Sequence, residues 1–184
     1  MSLNILISYH SDYNNTEKMA QAIAAGAKAA TDTKIVSKQA IDTELDDLVA
    51  ADLILFGTPV HMGSMAWQLK QLIDKTGKLW MENLLEGKVG GVFATGGGFG
   101  GGGGGVEATM ISLYSNFLEQ GMIAIGFPKS LPGYADAGLQ WGPYARCGNH
   151  EGMPQSISDS QLIAARSYGG HVAETAFQLL KNPL

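Results

Sequence analysis

A single cysteine, Cys147, in 184 residues leaves nothing for an intrachain disulfide, so a reducing cytoplasm is the expected setting. Histidine is nearly as scarce. Of the four, His10, His150 and His171 have no partner at metal-ligand spacing and Cys147 stands alone, which speaks against a zinc site. Positive charge is also thin: 12 Lys and Arg against 17 Asp and Glu give a net charge of −5. Non-specific binding to nucleic acid or to an anionic membrane needs a basic surface, so neither is expected. No apolar run approaches the ~18–20 residues of a membrane span. Met1-Ser2-Leu3-Asn4 lacks the basic start of a secretory signal. No glycine is followed by Lys-Ser or Lys-Thr, which removes a Walker A phosphate loop.

What is present fits one globular domain spanning residues 1–184, with 45% hydrophobic and 16% charged residues. Glycine is the anomaly. Of 25 glycines, nine fall within Gly96–Gly105, so the excess is one local feature. Five apolar segments read as buried strands: Leu3–Ile7, Ile35-Val36, Leu53–Phe56, Val89–Phe93 and Met122–Phe127. Helical periodicity alternates with them. It runs from Met19 to about Ala30, briefly after Asp42-Thr43-Glu44, through Leu69-Leu72-Ile73 to about Gly77, and from Val106 to Gln120. A capping-box pattern, Ser158-Asp159-Ser160-Gln161, opens a closing helix over Leu162–Leu180. Residues 128–157 show no clean period, and loops of that length tend to be functional or irregular.

Strands alternating with helices predict an α/β domain with a mainly parallel sheet and helices on both faces. Ligands bind such sheets at the carboxyl ends of the strands, so the loops after strands one, three and four matter most. The first, Ser8–Thr16, contains no glycine and no Lys or Arg. It offers Ser11, Asn14, Asn15 and Thr16 at a helix start, a place suited to an anion and equally to ordinary capping. The second, Gly57–Met65, pairs small residues with Met62 and Met65, thioethers that pack well on aromatic rings or fill a core. The third, Thr95–Gly105, is a backbone ribbon able to wrap a flat ligand or simply to flex.

Taken together these loops resemble the WrbA family of NAD(P)H:quinone oxidoreductases, within the flavodoxin-like fold. The resemblance rests on Tyr9–Ala20, on Phe56-Gly57-Thr58-Pro59, on Asp74–Trp80, on Phe93–Gly98, on Gln120-Gly121-Met122 and on Ala165–Gly170. It implies a five-stranded parallel sheet of order 2-1-3-4-5, bound FMN, NAD(P)H as co-substrate, a quinone acceptor and assembly as a dimer of dimers. Ser11, Asp12, Tyr13, Asn14, Asn15 and Thr16 would hold the FMN phosphate. Thr58, Pro59, Val60, His61, Met62 and Gly63 would line the flavin ring, and Thr95, Gly96, Gly97, Gly98, Phe99 and Gly100 would close its other edge. Tyr13 falls at the nicotinamide contact and Trp80 at the substrate pocket, reached from a neighbouring subunit. His61 and Tyr144 are candidate proton donors to the quinone. Where family members often carry histidine, this chain has Glu119-Gln120. An FMN electron carrier without its own NAD(P)H turnover is the competing function, and a non-catalytic scaffold a third.

Overall fold

A computed structural model describes residues 2–98 and 103–181. The apolar segments pair in parallel. Strand β2 (Thr33–Gln39) lies beside β1 (Leu3–Tyr9), followed by β3 (Leu53–His61) and β5 (Val89–Gly96). Between β3 and β5, the two-residue strand β4 (Ser64–Met65) folds back on the end of β3.

Strands β1, β3 and β5 are buried on both faces, which is why they read as continuous apolar runs rather than as alternation. Ile35-Val36, expected to be a buried strand, instead belongs to the edge strand β2, which has no buried residue. Side chains still alternate in destination. Ile5, Ile7, Leu53 and Leu55 pack under helices α1 (Asn15–Ala30) and α7 (Asp159–Lys181). Leu6, Ile54 and Phe56 face the opposite way, toward α2 (Leu45–Ala50), α3 (Trp67–Asp74) and α5 (Val106–Glu119).

The segment after Leu69-Leu72-Ile73 is not one helix. Thr76 Oγ1 donates to Ile73 O at 2.7 Å and closes α3. A separate helix, α4 (Gly77–Met81), then carries Trp80.

The fifth strand position departs most from the sequence expectation. Instead of one strand over Met122–Phe127, only β6 (Ile123–Ala124) pairs with β5, opposite Val89 and Gly90. The upper half is taken by β8 (Gly142–Arg146), with Ala94–Gly96 opposite Tyr144–Arg146. Between them run the short helix α6 (Tyr134–Ala137) and β7 (Gly138–Leu139), which pairs antiparallel with β8. The break has a physical cover. Val92 N–H lies between the two half-strands and donates to the Tyr168 hydroxyl at 3.2 Å, which in turn donates to Ile125 O at 3.0 Å. Tyr114 Oη lies 2.6 Å from Ile125 O and 2.5 Å from Trp141 O, bridging the diverging ends. Burial pushes both phenols up, Tyr114 to about 12, so each remains a neutral hydroxyl.

Helices α1 and α7 touch backbone to backbone. A Cβ on Gly26 would sit 1.9 Å from Arg166 O, and one on Gly169 would sit 2.1 Å from Ile23 O. Such overlap cannot be relieved by a rotamer change, because the obstacles are main-chain atoms. Gly169→Ala is therefore expected to cost about 3 kcal/mol, lowering the melting temperature by roughly 6–12 °C at this chain length. Gly77→Ala, with nothing within 4 Å of the new carbon, should be neutral in the same calorimetric comparison.

Candidate functional site

The carboxyl ends of β1, β3 and β5 converge on a cavity of about 110 Å³. The loop after β1 contributes Ser11, Asp12, Tyr13, Asn15 and Thr16. The end of β3 contributes Pro59, Val60 and His61, and the end of β5 contributes Thr95, Gly96 and Gly97. Residues chosen from three distant stretches of sequence thus share one wall.

Local backbone conformation explains how the first loop turns. Asn14 occupies the left-handed region, φ 61°, and its carbonyl accepts Lys18 N–H at 3.0 Å to start α1. Asparagine tolerates that region better than most residues. The Asn14 side chain makes no cap bond. Ser11 Oγ instead accepts Glu17 N–H at 3.3 Å, so capping falls to Ser11 rather than to Asn14 or Asn15. Thr16 and Thr95, both buried, join through their hydroxyls at 2.8 Å and fix the start of α1 to the end of β5.

Asn15 is committed elsewhere. Its Nδ2 donates to Gln155 O at 2.7 Å, and its Oδ1 accepts Ile157 N–H at 3.1 Å. These two bonds latch a strap, residues 147–157, against the cavity. Cys147, Gly152 and Pro154 of that strap complete the wall. Sequence reasoning missed these three. The only signal was the length of the aperiodic stretch, since β8 and the strap have no periodicity of their own. Burial pushes the Cys147 thiol up to about 11, which leaves it unreactive.

The second loop is a tight hairpin. Val60 faces Met65 and His61 faces Ser64, with Met62 and Gly63 at the tip in positive φ of 47° and 80°. Two positive φ values in a two-residue loop define the type I′ geometry that suits a hairpin twist. Glycine accepts it easily, whereas methionine is strained there. The Met62 side chain is fully exposed, while Met65 is buried in the core. Thr58 Oγ1 is buried, accepts Ala66 N–H at 2.9 Å and donates to Pro59 O at 2.8 Å. It shapes the hairpin without lining the cavity.

One electrostatic feature was not anticipated. Asp12 is held between two imidazoles: His10 Nε2 donates to Oδ1 at 3.1 Å and His61 Nε2 donates to Oδ2 at 2.8 Å. Burial would raise the Asp12 carboxyl, but the hydrogen bonds and charge of the two histidines outweigh it and hold it below the ordinary value. Among the described residues of the wall there is no Lys or Arg.

Other expected residues stand apart. Met62, Gly63 and Gly98 lie outside the wall, and Phe99 and Gly100 lie outside the described residues. Tyr144 sits on β8 beside the cavity, its hydroxyl donating to Gly103 O at 3.4 Å, and burial raises its pKa above the ordinary phenol value. Trp80 is not near. Leu84 N–H bonds Leu79 O, and Gly87 N–H bonds Gly121 O, just ahead of the first residue of β5. The cavity lies at the last residues of that strand, ~23 Å away at 3.3 Å per residue. Gln120 is at the same distant end, its Nε2 donating to Thr76 Oγ1 at 2.9 Å.

Sheet order, helices on both faces and a cradle at the ends of β1, β3 and β5 together define the flavodoxin-like class. Solved structures agree. A WrbA-like flavodoxin from Agrobacterium tumefaciens superposes with a TM-score of 0.72 at 30% identity, covering 96% of this chain and 99% of that one. An archaeal flavodoxin matches at 0.66 and 22%, a likeness of fold. The model of the NADPH-dependent FMN reductase family matches residues 1–127, and the chain belongs to that family. Two relatives named NAD(P)H dehydrogenase (quinone) align along nearly the whole chain. The one from Syntrophobacter fumaroxidans is 32% identical over 98% of this chain and 100% of its own length. The one from Geotalea uraniireducens is 31% identical over 97% and 100%.

The latch makes a local prediction. Asn15→Ala removes both bonds to the strap and should accelerate protease cleavage within residues 148–156 several-fold. Global stability should fall by about 1–3 kcal/mol, the usual cost of leaving buried backbone groups unpaired. Unchanged cleavage would mean the strap is held by other contacts.

Proposed function

We infer that this chain is an FMN-dependent NAD(P)H:quinone oxidoreductase, a single flavin-binding domain over residues 1–184. The observation that carries this reading is the convergence of the three loops on one cavity, in a member of the NADPH-dependent FMN reductase family. The residues fit the cofactor. The start of α1 aims its N–H groups and positive dipole end at the loop, with the hydroxyls of Ser11 and Thr16 beside it. A Cβ on Gly97 would meet only Gly152 O at 3.7 Å. Packing does not demand glycine there, and its absence of a side chain leaves the cavity mouth clear for a ring.

Bound FMN would supply the redox chemistry, hydride acceptance from NAD(P)H and two-electron delivery to a quinone. The chain's own part is to orient and to exclude water. Ser11, Asp12, Tyr13, Asn14, Asn15 and Thr16 surround the phosphate end, with Asn15 acting through the strap. Pro59, Val60 and His61 would form one side of the ring slot, with Thr58, Met62 and Gly63 shaping the hairpin that carries them. Thr95, Gly96 and Gly97 would form the other, with Gly98 next in the chain. Tyr13, largely exposed at the rim, is placed to stack on the nicotinamide.

Reduction of a quinone needs two electrons and two hydrogens. The hydride provides one hydrogen, and a proton must provide the other. His61 is the better donor of the two candidates, since its Nε2 is anchored by Asp12 and its ring reaches solvent. Tyr144 is disfavoured because burial weakens it as an acid.

Trp80 contributes to a substrate pocket only by reaching the cavity of a second copy, because its own lies at the other end of β5. Trp80 and Met81 are exposed on α4, and Trp67 on α3, surface that suits contact between copies. Sedimentation should give a tetramer, a dimer of dimers, at micromolar concentration. Trp80→Ala should weaken quinone turnover while leaving flavin bound, and a monomer with full activity would rule out the shared pocket. The NAD(P)H donor and the unpaired Cys147 support a cytoplasmic setting. Among the described residues no helix is long and apolar enough to cross a membrane.

The test is anaerobic. Reconstituted with FMN, the protein should lose its oxidised flavin absorbance on adding NADH or NADPH and regain it on adding benzoquinone. His61→Asn should slow the quinone step by about 10²-fold with the nucleotide step unchanged. Stable flavin that neither nucleotide bleaches would leave an electron carrier. Failure to retain flavin at micromolar concentration would leave a scaffold.

A further inference from the structure

An anion cradle ordinarily gathers positive charge. Here the wall contains a carboxylate, Asp12, and no Lys or Arg among its described residues. The two imidazoles that grip Asp12 come from different elements, His10 from the end of β1 and His61 from the end of β3. Their rings meet edge to face with centroids 6.3 Å apart. Imidazole is the side chain whose ordinary titration falls between pH 5 and 8. The cluster therefore carries −1 with both rings neutral, zero with one protonated and +1 with both.

We propose that the His10–Asp12–His61 cluster is the determinant that sets the site's preference for a phosphorylated flavin over an unphosphorylated one, admitting the phosphate when the imidazoles are protonated and repelling it when they are not. This rests on the flavin reading above and adds to it a charge device that the bare cradle of hydroxyls and helix amides lacks. The neighbouring charges do not mask it. On α1, Glu17 and Lys18 are adjacent and opposite in sign, and Lys18 Nζ donates to Ser156 Oγ of the strap at 3.4 Å, close enough for its charge to act on the Cys147 thiol. On the strap, the Cys147 thiol stays protonated, and His150 lies 3.8 Å from Glu151. The other titratable groups nearby are Tyr9 at the end of β1, its pKa raised by burial and by Glu17, Tyr13 on the same loop, and Tyr144 and Arg146 on β8.

The sign follows from charge alone. A phosphate monoester is mostly dianionic above its second pKa of about 6, so between pH 6.5 and 8.5 the ligand's charge changes little. Each proton lost from the two imidazoles brings the cluster one step toward −1, and the phosphate should lose affinity with it. Riboflavin, which shares the ring and lacks the phosphate, should not.

The experiment measures dissociation constants of oxidised FMN and riboflavin for the full chain by flavin fluorescence at pH 6.5 and 8.5. The FMN-over-riboflavin ratio should fall about tenfold across the interval, the factor carried by one pKa unit of differential interaction. Asp12→Asn should restore most of that ratio at pH 8.5. His10→Asn should lose the gain at pH 6.5 while leaving riboflavin binding unchanged. A ratio that is flat with pH overturns the proposal, as does Asp12→Asn weakening FMN at pH 8.5. If neither flavin binds at any pH, the flavin reading fails and this proposal with it, a result distinct from a flat ratio with tight binding.

Discussion

The contact on which the site depends is the crossing of α1 over α7, where Gly26 and Gly169 let two main chains meet with no side chain between them. Helix α1 supplies the cradle at its start, and α7 begins where the strap over that cradle ends. Fixing one helix against the other fixes the distance the strap has to bridge. Asn15 then closes the gap with a donor and an acceptor from one amide. A slip of one helix along the other would break both bonds together, so rigidity in the core becomes precision at the cavity.

The divided fifth strand position serves the same end. A single strand there would have left the carboxyl end of β5 flanked by ordinary sheet. Because β6 stops after two residues, the chain makes an excursion and returns as β8, bringing Tyr144 beside the cavity and Cys147 into its wall. Opening a parallel sheet costs backbone hydrogen bonds, and a buried amide left unpaired is expensive. Tyr168 and Tyr114 meet that cost with hydroxyls placed where a neighbouring strand would have stood. Gly91 makes room for them: a Cβ there would fall 2.5 Å from the Tyr168 hydroxyl.

Much of this was legible in the sequence, for reasons that separate the hits from the misses. Strands β1, β3 and β5 are buried on both sides and announce themselves as apolar runs. The closing helix opens as its pattern predicts, with Ser158 N–H on Gln161 Oε1 at 3.0 Å and Gln161 N–H on Ser158 Oγ at 3.3 Å. The three loops were found because parallel sheets direct ligands to strand ends. What escaped was set by contacts distant in sequence. Helix α4 is one turn long and has no period to detect. Strand β8, Gly-Pro-Tyr-Ala-Arg, is made a strand by its neighbour β5. Asn15 looked like a cap, yet its partners lie about 140 residues away. The pairing of Asp12 with His61 required β1 and β3 to end side by side.

That last pairing gives the cradle its character. A site built from helix amides and hydroxyls alone holds an anion by fixed dipoles, whose strength is indifferent to pH over the physiological range. Lysine or arginine would add attraction that is equally constant. A carboxylate between two imidazoles is different, because the net charge of the group depends on how many of the rings carry a proton. The hydrogen bond that holds the His61 ring also helps to hold the Asp12 carboxyl below its ordinary value. On the function proposed above, loading of the cofactor and protonation of the acceptor would draw on one set of groups, so a change at Asp12 would move both.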